Sequence, residues 1–333
     1  LSRMSELAEQ AANGTLGFTQ RKRLDAEYQQ LSLEIRRIAN TTTFNGRELL
    51  TGQRINRDYS TLANDATNIS SAGMSGDGSK VYYTRNSTNG LYVRDTETGS
   101  TRLIDSGGTL YAWKGSVTLG GDLYYVKNDV LKRYRADTGV VENTGVTFAV
   151  GTAIEDMEVS GDGRTLVYQT STANYSAYAI DLETKAQRTL FSASGVGAFQ
   201  MKLSADGTKL GFVSTGNFTG QNATARNQYF TVDLSTSSPT FTQLTRATND
   251  DFTLDGAVAN DGTAYVTGNL TLGGAVSVTQ TYIYKYGPRG QSVETLRSID
   301  QATGGPGALV LGADDKTLSF VASGIATTIT TTS

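Results

Sequence analysis

The sequence predicts an α+β chain, with a coiled-coil-like helical segment over residues 1–58 and an all-β domain over residues 59–333. Three observations carry that prediction. Apolar residues in the first 38 positions recur at steps of three and four, the spacing of one helix face. From residue 74 a short motif, (S/A)-x-D-G followed by alternating apolar residues, returns along the rest of the chain. Beyond residue 52 no further stretch has comparable length and heptad character.

The first helix is LSRMSELAEQAANG, where Leu1, Met4, Ala8 and Ala11 share a face and Asn13-Gly14 supplies a stop. A second begins near Thr19, a plausible N-cap. Its residues Leu24, Tyr28, Leu31, Ile35 and Ile38 step four, three, four, three, which makes a heptad seam and marks them as helix-packing residues. Such a stripe ordinarily packs on its own domain. Here only the first helix is available, and isolated helices of this length are marginal in water. The seam is therefore expected to bury against a helix outside this stretch, from the same polypeptide or a neighbouring subunit. The chain also opens at Leu1 already inside a helical pattern, and so reads as part of a longer polypeptide.

The repeat tract follows. Its motifs are MSGDGSKVYYTR, EVSGDGRTLVYQT, KLSADGTKLGFVST, VANDGTAYVTG and VLGADDKTLSFVAS, with a degenerate copy, VTLGGDLYYVKN. Their aspartates, Asp77, Asp122, Asp162, Asp206, Asp261 and Asp314, are spaced by 40 to 55 residues, room for four short strands per unit. Each unit carries a second turn, as in YVRDTETGS, RYRADTGVV and AIDLETKAQ, where Asp bonds its own backbone and Gly accepts positive φ. Six such units predict a six-bladed β-propeller. The last unit holds only TLSFVAS and IATTITTT, so the ring is expected to stay incomplete or to borrow strands from residues 60–72. The alternative is an irregular β-sandwich.

Composition removes several function classes. The 333 residues include neither cysteine nor histidine, which takes away disulfides, thiolate nucleophiles, the serine triad and the usual zinc or copper ligands. A net charge of −3 argues against a nucleic-acid partner. No apolar run is long enough for a membrane span. The Gly-Asp-Gly turns lack the D-x-D-x-D-G spacing of a calcium loop, and no P-loop or dinucleotide fingerprint occurs. No cofactor, no metal and no enzyme is expected. The densest basic and aromatic cluster is Lys132, Arg133 and Arg135 beside Tyr124, Tyr125 and Tyr134, a candidate contact for an anionic glycan or other polysaccharide. A solvated strand edge defended by charge is the plainer alternative.

Two stretches carry resemblances. RMSELAEQAANGTLGFTQRKRLDAEYQQLSLEIRRIANTTTFNGRELLTG resembles the N-terminal core segment of bacterial flagellin, with both helices, their connection and the terminal FNG turn in register over about the first 52 residues. The resemblance implies an extracellular subunit of the flagellar filament, polymerising with other flagellin subunits, structural and serving motility. It implies that the helices pair with a C-terminal helix of the same chain, which is missing from a sequence that ends in GIATTITTTS; the stretch is expected not to polymerise alone. It further implies that Arg3, Leu7 and Glu27 fall on the surface many flagellins present to the Toll-like receptor that senses them. The repeats, in turn, resemble TolB-like and WD-repeat-like propellers. The rival function is a cell-surface binding module, an adhesin or polysaccharide binder, displayed on a flagellin scaffold.

Overall fold

The computed structural model describes residues 2–12, 20, 23–24, 27–31, 43–44, 47–48, 69–76, 78–85, 90–108, 115–171, 174–247, 255–268, 280–290, 293–300, 309–311, 315, 317–322 and 325–330. The chain divides into two compact units, Leu1–Asn64 and Asp65–Ser333.

In the first unit helix α1 spans Ser2–Ala12 and ends immediately before Asn13-Gly14. Leu7 is buried, while Arg3, Glu6 and Glu9 are exposed. Helical backbone recurs at Gln20, at Arg23 and Leu24, and from Glu27 to Leu31. The Arg3 guanidinium donates to Glu27 Oε1 at 2.7 Å and to Glu6 at 3.3 Å, which ties the two helical stretches together on the surface. Strands β1 (Thr43–Phe44) and β2 (Arg47–Glu48) pair with Phe44 opposite Arg47.

The second unit is almost wholly β. Five four-stranded antiparallel meanders follow one another. They are β3 (Ile69–Met74) to β6 (Thr101–Ser106) through β4 (Lys80–Arg85) and β5 (Gly90–Asp95); and β7 (Ser116–Val117) to β10 (Val141–Thr147) through β8 (Leu123–Lys127) and β9 (Val130–Tyr134). The third runs from β11 (Ile154–Val159) to β14 (Gln187–Ala193) through β12 (Thr165–Ser171) and β13 (Tyr175–Asp181). The fourth comprises β15 (Phe199–Leu203), β16 (Lys209–Ser214), β17 (Gln228–Asp233) and β18 (Thr240–Gln243). The fifth comprises β19 (Asp255–Val258), β20 (Ala264–Gly268), β21 (Gln280–Tyr286) and β22 (Val293–Asp300). A sixth sheet has three described strands, β23 (Val310–Leu311), β24 (Thr317–Ala322) and β25 (Ile325–Thr330).

Local chemistry explains the hairpins. In the turn after β11 the Ser160 hydroxyl accepts from the Thr165 amide at 2.9 Å and donates to Asp162 at 2.6 Å; in the turn after β15 Ser204 does the same with Lys209 and Asp206. Gly163 and Gly207 close these turns at φ of 72° and 71°, where a side chain would be strained. Between the third and fourth strands an aspartate takes over: Asp95 Oδ1 accepts from the amides of Glu97 and Thr98, and Asp181 Oδ1 from those of Glu183 and Thr184. Asp95 also pairs with Lys80, and that charged hydrogen bond, with the Thr98 amide, holds its carboxyl well below the usual range.

Packing then stacks the sheets face to face. Tyr82, Leu91 and Val93 of the first sheet pack against Leu123, Tyr125 and Tyr134 of the second. Tyr124, Val126 and Leu131 use the other side of that second sheet, against Ile154, Met157, Leu166 and Tyr168 of the third. Similar cores join the third to the fourth, the fourth to the fifth and the fifth to the sixth sheet. A sheet covered on both faces buries consecutive residues, which is why Leu123–Val126 is apolar without alternation. First strands of successive sheets touch, β3 with β7, β7 with β11, β11 with β15, β15 with β19 and β19 with β23.

One expectation is corrected here. Of the two alternatives for the last sheet, borrowed strands from residues 60–72 or an incomplete ring, the first does not hold for the described part of that stretch, since Ile69–Met74 pairs with β4 in the first sheet. Its register shift between Ser71 and Gly73 breaks the alternation that would have announced a strand. Residues 60–68, Asp77 and Asp314 lie outside the described residues. Among the described residues no hydrogen-bonded strand pair joins the sixth sheet to the first.

Candidate functional site

The first strands of all six sheets border one cavity of about 300 Å³. Six lining residues occupy equivalent repeat positions, two before the first residue of the turn motif: Gly73, Ser116, Glu158, Lys202, Ala257 and Val310. A strand places alternate residues on one side, and this position recurs on the side that borders the cavity.

Glu158 and Lys202 are the charged pair among them, 3.8 Å apart. Glu158 Oε2 also accepts from the Ser116 hydroxyl at 3.1 Å, whose oxygen in turn accepts the Val159 amide at 3.0 Å. Asp156 and Asp255 stand beside the pair, accepting the amides of Met201 and Leu309, each at 3.2 Å. Burial raises the Glu158 carboxyl above the ordinary glutamate value, against the opposing pull of Lys202 and Ser116. Burial likewise raises Asp255. Lys202 is pushed up as well, first by the Glu158 charge, then by Asp255 and Asp156, and stays a cation. The group offers an acid that titrates late, a fixed ammonium and a surplus of carboxylates. That combination suits proton exchange or recognition of a polar ligand; it contains no neutral amine for nucleophilic attack.

The residues singled out from the sequence lie elsewhere. Lys132 and Arg133 are on β9, an interior strand paired on both sides, and Arg135 follows it. Lys132 lies 3.5 Å from Asp105, which also binds Lys127 and accepts from the Tyr125 hydroxyl at 2.9 Å. Arg133 clasps Asp122 through Nε at 2.8 Å and through Nη2, while Arg135 binds Asp137 at 2.9 Å. Tyr124, Tyr125 and Tyr134 are buried between sheets. Each base of the cluster thus has a carboxylate partner. Since Asp122 Oδ1 also accepts the Ala136 amide at 2.9 Å, Asp122→Ala is expected to cost more than Arg133→Ala. We expect about 2 kcal/mol against about 1 kcal/mol by denaturant unfolding, and the opposite order would contradict this assignment.

In the first unit Leu24 and Leu31 are half-buried and Tyr28 is 37% exposed, whereas Ile35 and Ile38 lie outside the described residues. Leu7 is 1% exposed, and Arg3 and Glu27 bond one another. Helix α1, its ion pair to the second helical stretch and the Phe44–Arg47 hairpin come in the order that the flagellin resemblance implies. Residues 1–55 match the bacterial flagellin N-terminal helical region. Flagellin A of Vibrio anguillarum is 52% identical over 52 residues, 16% of this chain and 14% of that protein. A flagellin of Clostridium tyrobutyricum is 42% identical over 78 residues, 22% of this chain and 21% of that protein. The chain therefore spans 14% and 21% of the length of these curated relatives.

Among solved structures, an oligogalacturonate lyase in complex with manganese superposes with a TM-score of 0.53 at 13% identity, covering 74% of this chain and 68% of that one. A prolyl endopeptidase gives 0.51 at 14% identity, covering 86% and 45%. These likenesses concern the fold alone. They correct the expectation that the chain is not an enzyme: the arrangement is one that enzymes use, so missing histidine and cysteine do not settle the question. Among the described residues no group of three or more carboxylates converges as a metal site. No described helix is long and apolar enough to cross a membrane.

The sequence reading missed Glu158, Lys202 and Asp255. A signal was present: the residue two before each turn motif is small or apolar in some repeats and charged in two, and a charge at a position the repeat turns inward marks a lined cavity.

Proposed function

We propose that this chain is a subunit of a bacterial flagellar filament. Residues 1–58 contribute to the filament wall, and the β unit from residue 59 is displayed on the filament as a six-bladed propeller. The observation that carries the reading is the flagellin match over residues 1–55, which coincides with a separate compact unit. Tyr28 supports it: a large apolar residue at a seam position is left exposed for a neighbouring helix. For the propeller, the support is geometric. Six sheets whose first strands share one cavity do not form the two facing layers of a sandwich.

Polymerisation with other flagellin subunits and an extracellular place on the filament follow from this reading. The test uses the full-length polypeptide that carries this sequence, expressed in a bacterium lacking its own flagellin. Electron microscopy is expected to show filaments, decorated along their length by an antibody to the β unit. A full-length polypeptide that stays monomeric where flagellin polymerises would sink the proposal. A second reading, display of a binding module, is favoured by the axial cavity with its Glu158–Lys202 pair.

A further inference from the structure

We infer that a second cleft, on the fourth sheet, binds an acidic saccharide through a carboxylate-bearing sugar unit. The cleft measures about 520 Å³ and lies between the β16–β17 connection and the segment following β18. It shares no lining residue with the axial cavity.

Its wall divides into a fixed frame and an unengaged face. Asn222 holds the connection: its side-chain amide donates to the carbonyls of Thr215, Gly216 and Arg226 at 3.0, 3.2 and 2.7 Å, and its oxygen accepts the Arg226 amide at 3.1 Å. Gln228 holds the opposite wall, donating to the Ala247 carbonyl and accepting the Ala247 amide, both at 2.9 Å, and the Thr245 hydroxyl at 2.8 Å. Gln243 joins the walls, donating to the Thr245 carbonyl at 3.0 Å and accepting the Thr219 hydroxyl at 3.2 Å. These amides are used up in building the site.

Gln221, Thr224 and Arg246 are different. All three are exposed to the cleft, and among the described residues their side chains have no hydrogen bond or ion pair. The contrast with the rest of the unit is sharp, since Arg133 and Arg135 each bind a carboxylate. Among the described residues no acidic side chain lines the cleft or competes for the Arg246 guanidinium.

The chemistry that fits is narrow. A guanidinium fork presents two parallel donors to a planar carboxylate. The flanking amide and hydroxyl suit the ring hydroxyls of a sugar. Among the described residues the lining apart from Ala247 is polar, which disfavours an apolar ligand, and it has no aromatic ring on which a nucleobase could stack. Because the frame is already bonded, little order has to be gained on binding.

The experiment is isothermal titration calorimetry on the chain with three probes: a uronic acid trisaccharide, the same trisaccharide with its carboxyls reduced to alcohols, and that neutral form carrying one sulfate. Saturable binding of the uronic acid probe is expected, with the reduced probe at least tenfold weaker. Arg246→Ala is expected to weaken the uronic acid probe at least tenfold, Gln221→Ala and Thr224→Ala by about threefold each, and the triple change of Lys132, Arg133 and Arg135 to alanine not at all. Since all three cleft side chains are exposed, melting temperatures of the variants should match the parent. The inference is overturned by no saturable binding at millimolar probe, by an unchanged affinity in Arg246→Ala, by a loss in the triple variant instead, or by tighter binding of the sulfated probe. None of these outcomes depends on filament assembly.

Discussion

Replacing Gly211 by alanine is expected to lower the stability of the β unit by roughly 3 kcal/mol, the upper end of what overpacking a core costs. Gly211 lies on β16 in ordinary extended backbone, so the constraint is space and not φ. A β-carbon there would overlap the Tyr229 hydroxyl and stand 3.0 Å from Cζ and 3.3 Å from Cε1. The ring cannot step aside. On its other side a β-carbon at Gly256 of the fifth sheet would already be 2.6 Å from Cε2 and Cζ. Tyr229 is therefore clamped between two glycines at the joint of the fourth and fifth sheets, wholly buried, with its amide donating to the Thr245 hydroxyl at 2.8 Å.

The same joint carries a cost of its own. Among the described residues the buried Tyr229 hydroxyl has no hydrogen-bond partner, and burial, then the nearby Asp255 charge, pushes its pKa well above the ordinary tyrosine value. Tyr229→Phe removes an unsatisfied group and is expected to stabilise the unit by about 1 kcal/mol. It should also recover part of the Gly211→Ala loss, because the worst overlap is with that oxygen. Denaturant unfolding of the four proteins of the cycle decides the matter. Strictly additive losses would mean that the two residues do not meet as described.

Much of the β unit was legible because its turns are chemically local. Ser160 and Asp162 satisfy amides within five residues, so the motif appears in the sequence wherever the turn appears in space. The flagellin-like segment was legible for a different reason, a register of two helices and a turn that no single periodicity would supply. What stayed hidden depends on distance along the chain. Nothing near Lys132 announces Asp105, and the basic cluster looked available until that carboxylate was placed 3.5 Å away. The clamp on Tyr229 stayed hidden because its glycines come from β16 and β19. Strand β3 was not legible as the opening strand of the first sheet, because its register shift and Gly73 erase the alternation on which strand reading relies. The Arg246 cleft is harder still: its meaning lies in which amides are already bonded, a property that composition does not carry.

The axial cavity makes the second large prediction. Among the described residues lining it Lys202 is the one cation, facing Glu158 at 3.8 Å with Asp156 and Asp255 alongside. Lys202→Met keeps the length of the side chain and removes the charge, leaving the carboxylates without their counter-ion. Stranding a carboxylate in a dry interior costs about 3–5 kcal/mol, but the Lys202 side chain is 37% exposed, so screening by water brings the expected loss to about 2 kcal/mol at neutral pH. The deficit should shrink on acidification. A carboxyl whose folded pKa is raised holds its proton more tightly in the folded than in the unfolded chain. Its contribution to stability is present at low pH and is lost as pH rises through the folded value, so the variant gains on the parent as Glu158 protonates. Glu158→Gln in the Lys202→Met background should recover most of the loss at neutral pH, since an amide can still bond Ser116 without needing a cation. A deficit that stays constant between about pH 5 and 8, or that Glu158→Gln leaves untouched, would assign Lys202 to packing of its aliphatic stem and deny the cavity its charge pair.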